Sequence, residues 1–136
     1  MIYILFTRSR SGYVGRFVIR SVLHGFCFEL LAGNYEPIAS SGTYSSEMAC
    51  RKGIDSVIKN ALAARVEDQT KEQFQSQKNP KFEIYFDTSH AFRFRLKAKN
   101  GEVIAVSEPY KAKASCINGI KSVIRNCRGA EIVRRD

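Results

Sequence analysis

The chain has 136 residues, 44% hydrophobic and 26% charged, which excludes a disordered polypeptide and leaves room for one ordinary domain or two very small ones. A formal charge of +9 points to anionic partners, nucleic acid or an acidic protein, with a merely solvated basic surface as the plain alternative. The four cysteines (Cys27, Cys50, Cys116, Cys127) show no C-x-x-C spacing, and no run approaches the roughly 20 apolar residues of a membrane span. The expectation is a soluble, reduced, cytoplasmic protein with no metal, no cofactor and no membrane contact.

In chain order, Met1 to Phe6 is β-branched and aromatic, and Arg8 to Gly12 behind it is loop-like. Residues 1–15 are therefore read as an N-terminal arm or extra strand. From Gly25 onward the chain is written twice. Residues 25–68 recur without a gap at 91–134, pairing Phe26 with Phe92, Phe28 with Phe94, Tyr44 with Tyr110, Cys50 with Cys116 and Gly53 with Gly119. Repeat 1 is placed at 16–68, a polar linker at 69–80 and repeat 2 at 81–136.

Each repeat opens on a strand, Arg16 to Ser21 and Lys81 to Phe86, followed by a turn that carries His24 or His90. In the second strand of repeat 2, Phe92, Phe94, Leu96 and Ala98 alternate with Arg93, Arg95, Lys97 and Lys99, so one face is oily and the other basic. Asn100-Gly101 reads as a tight hairpin turn; Asn34-Tyr35 is a poorer one, which Gly33 would shift by a residue. Third strands follow at Glu36 to Ser41 and Glu102 to Ser107. Cys50, Gly53, Ile54, Val57, Ile58 and Ala61 then keep helical spacing, repeated by Cys116, Gly119, Ile120, Val123, Ile124 and Cys127. Ser45 or Ser46 caps the first helix, and the second lacks a cap. Asn60 and Asn126 are expected to end the helices in a left-handed conformation. The two glycines mark a close approach of helix to sheet. Short strands, Arg65 to Asp68 and Ala130 to Arg134, close the repeats.

The order β-β-β-α-β forces each helix onto the apolar face of a meander. A unit of about 50 to 55 residues closes its core poorly alone, so the two are expected to merge. The fold class is α+β: one antiparallel sheet with both helices on one face. The 12-residue linker is long enough to cross from one half to the other.

Repeat 2 resembles the YegP-like family of small bacterial proteins of unknown function. The residues that carry the likeness are Phe92 to Ala98, Asn100-Gly-Glu-Val-Ile-Ala-Val-Ser107, Tyr110, Lys113-Ala114, Cys116, Asn118-Gly-Ile120, Ser122-Val123 and Asn126. Repeat 1 departs from it at Tyr35 and Lys52. The resemblance implies that the C-terminal strands are exchanged between the repeats, Arg65 to Asp68 pairing in repeat 2 and Ala130 to Arg134 in repeat 1. It brings no catalytic residues.

No phosphate loop, nucleotide-binding glycine motif or nucleophile–base pair is present, and the aligned His24 and His90 read as exposed turn residues. The chain is therefore read as a non-enzymatic binding module. Its best candidate surface is the basic sheet face formed by Arg93, Arg95, Lys97 and Lys99, shared by Tyr85 and Arg134, with nucleic acid as the favoured ligand. Cys27, Glu29, Leu31 and Gly33 hold the same places in repeat 1, so the face is lopsided. Leu31 and Cys27 favour the alternative, a protein-interaction or structural module, as a monomer of two repeats or a weak homodimer.

Overall fold

A computed structural model describes residues 14–136. The arm or extra strand expected at Met1 to Gly15 thus lies, up to residue 13, outside the described residues. Repeat 1 forms β1 (Arg16–Val22), β2 (Gly25–Leu31), β3 (Pro37–Ser40), α1 (Glu47–Ala63) and β4 (Arg65–Asp68). Repeat 2 forms β5 (Lys81–Phe86), β6 (Phe92–Lys97), β7 (Val103–Ser107), α2 (Lys113–Cys127) and β8 (Glu131–Arg135).

The strands make one eight-stranded sheet in the order β4-β5-β6-β7-β3-β2-β1-β8. The meanders join through antiparallel β3 and β7, which pair Ala39 with Ser107 and Ser40 with Val106. The closing strands are exchanged: β4 lies beside β5 and β8 beside β1. The sheet departs from the all-antiparallel expectation at its edges, because both exchanged strands run parallel to their neighbours. A helix that returns from the sheet centre to its rim delivers the next strand in that direction. From β3 to β4 is four strand spacings, about 19 Å, and the 17 residues of α1 extend about 25 Å. The helices therefore make the crossing. The linker, expected to cross the molecule, only joins the neighbours β4 and β5.

The two repeats match in detail. Phe17 meets Phe28 edge-on at 5.6 Å, and Phe82 meets Phe94 edge-on at 5.7 Å. Irregular pairing falls between Leu30 and Leu31 and again between Leu96 and Lys97. Ser41 Oγ accepts from the Phe28 amide, and Ser107 Oγ from the Phe94 amide, each at 2.9 Å. These phenylalanines join Ile19, Leu30, Ile54, Ile84, Leu96 and Ile120 in one continuous core between sheet and helices. Full burial of each large apolar side chain contributes roughly 1.5–3 kcal/mol. Neither repeat has a separate interior.

Of four local expectations, the caps and the glycine close approach hold, and the asparagine ends and the first hairpin bend do not. Ser46 Oγ caps α1 through the Ala49 amide at 3.1 Å, and α2 has no side-chain cap. Gly53 and Gly119 are indeed close-approach sites, but the neighbour is chiefly a tyrosine: an added Cβ would lie 2.3 Å from Tyr44 Oη and 2.4 Å from Tyr110 Oη. Asn60 and Asn126 are not left-handed caps. Their Nδ2 groups bond back to Ser56 and Ser122 inside the helices. The β2–β3 bend is not shifted by Gly33; Tyr35 itself takes φ 70° where repeat 2 has Gly101 at 87°. The Arg16 guanidinium lies 4.2 Å from the Tyr35 ring centre, a cation–π contact that helps hold this costly conformation.

Candidate functional site

The sheet face away from the helices carries the basic stripe, and the structure pairs most of it internally. β5 and β6 set Glu83 opposite Arg95, Tyr85 opposite Arg93 and Lys81 opposite Lys97. Glu83 is only 2% exposed and is approached by Arg95 Nε at 2.6 Å, Lys81 Nζ at 3.2 Å and Lys97 Nζ at 3.2 Å. Glu67, delivered by the exchanged β4, is equally buried. It accepts from Lys81 Nζ at 2.8 Å, Gln69 Nε2 at 2.6 Å and the Gln77 amide at 2.7 Å. Burial by itself raises the Glu67 pKa. The bonds from Lys81, Gln69 and Gln77 outweigh it and hold the carboxyl at about 2. For Glu83 likewise, burial opposes ionisation, and the bonds from Arg95, Lys81 and Lys97 still lower its pKa.

Of the six residues assigned to this face, Arg93 is bound to Asp87 at 2.7 Å and to the Ser107 carbonyl at 2.9 Å. Arg95 serves Glu83 and Gln69 while its guanidinium covers the Tyr85 ring at 4.2 Å. Lys97 is engaged by Glu83. Lys99 lies past the end of β6, exposed in the β6–β7 hairpin. Arg134 is not on this face. It is paired in β8 with Ile19, a core-facing residue, and its guanidinium sits over Phe26 and bonds Glu47 of α1. The six do not form one open patch. Tyr85 and Arg95 cover each other, and a stripe that looks bare in one strand is neutralised by its neighbours.

In repeat 1 the equivalent face carries Arg16, Val18 and Leu31, all buried, with Glu29 near Arg20 at 3.9 Å. Val18 and Val133 are register partners where repeat 2 has Glu83 and Glu67. The two halves of one sheet face therefore differ in kind: in repeat 1 the centre of the exchanged-strand seam is a valine pair with ion pairs beside it, and in repeat 2 it is a pair of buried glutamates held by cations.

Two grooves related by the internal symmetry lie on the helix side. One, of about 820 Å³, runs between α2 and the β2–β3 hairpin and is lined by Asn34, Asn118, Ser122, Arg125, Asn126 and Arg128 among others. Its twin, of about 400 Å³, runs between α1 and the β6–β7 hairpin and holds Lys52, Ser56, Lys59, Asn60, Lys99 and Asn100. In the smaller groove Asn60 Oδ1 accepts from the Lys99 amide at 3.2 Å and ties helix to hairpin. Asn126 is as buried as Asn60, at 9% exposed, and makes the same bonds to Ser122 through Nδ2. No donor among the described residues reaches its Oδ1. Arg125 and Arg128 take part in no ion pair among the described residues. The wider groove thus offers Asn126 Oδ1 as an acceptor beside two arginines that make no ion pair among the described residues, with Glu36 on the hairpin side. Sequence reasoning missed it because hairpin and helix come from different repeats. The signal was present in Asn118, Ser122 and Asn126, which carry the family likeness and line one wall.

The aligned histidines share a backbone role: His24 has φ 70° and His90 φ 62°, left-handed positions in equivalent turns. No group of three or more His, Cys, Asp or Glu side chains among the described residues could hold a metal ion. The cysteines are free thiols. Burial pushes the Cys116 pKa up to about 11, so it stays a protonated, packed thiol at neutral pH. Among the described residues, no helix is long and apolar enough to cross a membrane.

Two β-β-β-α-β repeats that exchange their last strands within one sheet define a tandem fold with a family of its own. The family described as a domain of unknown function (DUF1508) matches residues 24–68 and again 87–133, once in each repeat. The chain belongs to that family. It is 36% identical over 114 residues to the UPF0339 protein YegP of Yersinia pestis, covering 83% of this chain and 88% of that one. A UPF0339 protein of Treponema denticola is 62% identical over 53 residues, 39% of this chain but 91% of that one, so that relative is barely longer than one repeat. The solution NMR structure of yegP from E. coli, a protein of unknown function, superposes with a TM-score of 0.72 at 29% identity, covering 90% of this chain and 94% of that one. These relatives carry no enzymatic name.

Proposed function

We propose that the protein is a non-enzymatic interaction module that takes an acidic, extended segment of a partner protein in the wider groove, between α2 and the β2–β3 hairpin. The observation that carries this reading is the difference between the twin grooves. In the smaller one a main-chain amide satisfies Asn60; in the wider one no described residue donates to Asn126 Oδ1, and Arg125 and Arg128 line the same groove. A peptide N–H would serve Asn126 as the Lys99 amide serves Asn60, and carboxylates would serve the arginines. The volume falls within the roughly 300–1,000 Å³ of ligand sites. Nucleic acid is the second reading, favoured by the net charge of +9 and by Lys52, Lys59 and Lys99 around the smaller groove.

One titration separates them. The ¹⁵N-labelled chain is followed by NMR while a blocked decapeptide of alternating Glu and Ala is added to about 1 mM, then single- and double-stranded oligonucleotides. The peptide should shift the Asn126 side-chain amide and the signals of Ala32 to Asn34, Arg125 and Arg128. Arg125→Glu with Arg128→Glu, exposed changes that spare the core, should weaken this at least tenfold. Shifts spread evenly over all lysines and arginines, or none, would overturn the groove. Oligonucleotide binding that Arg93→Glu and Arg95→Glu abolish would restore the sheet face.

A further inference from the structure

The exchanged strands carry a charge code. At one end of the sheet the first residue of α1, Glu47, bonds Arg134 of β8. At the other end the first residue of α2, Lys113, bonds Asp68 of β4 at 2.8 Å. Glu47 and Lys113 hold the same place in the two repeats, and so do Asp68 and Arg134. The contact is kept and its polarity is reversed: acidic helix with basic strand at one end, basic helix with acidic strand at the other. Both bonds cross between repeats, because each closing strand lies against the other repeat's sheet.

We propose that this inversion selects the partner: repeat 1 closes on repeat 2 and is discouraged from closing on another repeat 1. Two copies of repeat 1 would set Glu47 against Asp68, acid on acid, twice. Two copies of repeat 2 would set Lys113 against Arg134, base on base, twice. Only the mixed pair satisfies both ends. The need for selection follows from the fold. The two repeats present matching phenylalanine pairs, matching irregularities and matching serine bonds, so packing on the helix side distinguishes poorly between like and unlike halves; on the other face, Glu67 and Glu83 against Val18 and Val133 add to the same preference. A chain with two mutually similar halves, each needing a second to cover its core, is at risk of joining end to end with other chains. The side chains are partly exposed, 34% for Lys113 and 15% for Asp68, and 36% for Arg134 and 32% for Glu47. Each bond is therefore modest, but the wrong pairing replaces two attractions with two repulsions. The combined preference is about tenfold, and it fades in high salt.

The test uses the full chain, refolded from urea at high protein concentration and analysed by ultracentrifugation. In the double variant Asp68→Arg with Lys113→Glu, both ends keep an attractive bond; the Thr70 bonds to Asp68 are lost, a loss that the fourfold variant below shares and so controls for. Both helices now begin acidic and both strands end basic, so like repeats also attract. This variant is expected to form several times more dimer and higher oligomer than the original chain. Adding Glu47→Lys and Arg134→Asp restores opposite polarity at the two ends in reversed sense, and the fourfold variant should refold like the original. Refolding at about 1 M NaCl should bring the original chain toward the double variant. Equal oligomer content in all three chains at low salt would overturn the proposal. So would a fourfold variant that oligomerises like the double one, since that would trace the effect to altered surface and not to polarity.

Discussion

Gly119→Ala puts two known effects in opposition, and the structure decides the sign. Glycine inside a helix costs about 1 kcal/mol relative to alanine, so the substitution on its own should stabilise α2. The added Cβ, however, would stand 2.4 Å from Tyr110 Oη, 2.9 Å from its Cζ and 3.0 Å from Cε2 of Phe94. Tyr110 cannot simply swing away, because its backbone is bonded in both directions to Phe92 at 2.8 Å. Phe94 is fully buried against Phe82. Overpacking of this sort costs about 1–3 kcal/mol; less the roughly 1 kcal/mol the helix gains, the net effect is a loss of up to about 2 kcal/mol, a fall in Tm of up to roughly 8 °C at this size. Urea and thermal unfolding of the full chain measure it. A double-mutant cycle with Tyr110→Ala then isolates the clash: Gly119→Ala should be at least about 1 kcal/mol less harmful once the ring is gone. If Gly119→Ala makes the chain more stable, or if its effect is the same with and without the Tyr110 ring, the close-approach argument is wrong and the glycine has no packing role.

Two further outcomes are expected. The Glu67 pKa lies near 2 in the fold against an ordinary 4.5, so the stability it supplies is fully present above pH 4.5 and is lost as pH falls toward 2. The shift corresponds to about 3 kcal/mol at most. Glu67→Gln should lower stability at pH 7 by about 1–3 kcal/mol and flatten the stability–pH curve between pH 4.5 and 2; an unchanged slope would refute the role assigned to the Lys81, Gln69 and Gln77 bonds. Residues 81–136 expressed alone should dimerise, because β5 lacks its parallel neighbour. That dimer should tighten as salt rises, since Lys113 faces Arg134 of the second copy; a stable monomer by ultracentrifugation would argue against strand exchange.

The repeat could be read because corresponding residues recur without a gap, and the merging of the halves follows from the small size of each. The parallel edges were not legible, because strand direction depends on where a helix lands. The basic stripe shows the limit most clearly. Alternation along β6 places Arg93, Arg95 and Lys97 on one face, but their partners lie on other strands. Glu83 becomes visible once the β5–β6 register is known; Glu67 arrives from a strand fourteen residues before Lys81 in sequence, across an exchange that no local pattern shows. The conformation of Tyr35 is hidden from the sequence for a related reason. Propensity disfavours a bulky residue at positive φ, and the compensating contact comes from Arg16 on another strand.

The unlike halves of the sheet face have a consequence for valency. A one-repeat chain that pairs with itself must show every surface off its two-fold axis twice, and so offers two equivalent sites for any ligand bound there. Joining two repeats in a single polypeptide removes that obligation, and here Val18 and Val133 stand where the other half has Glu83 and Glu67. Such a molecule is free to recognise its target once, from one side, while its remaining half serves as a foundation.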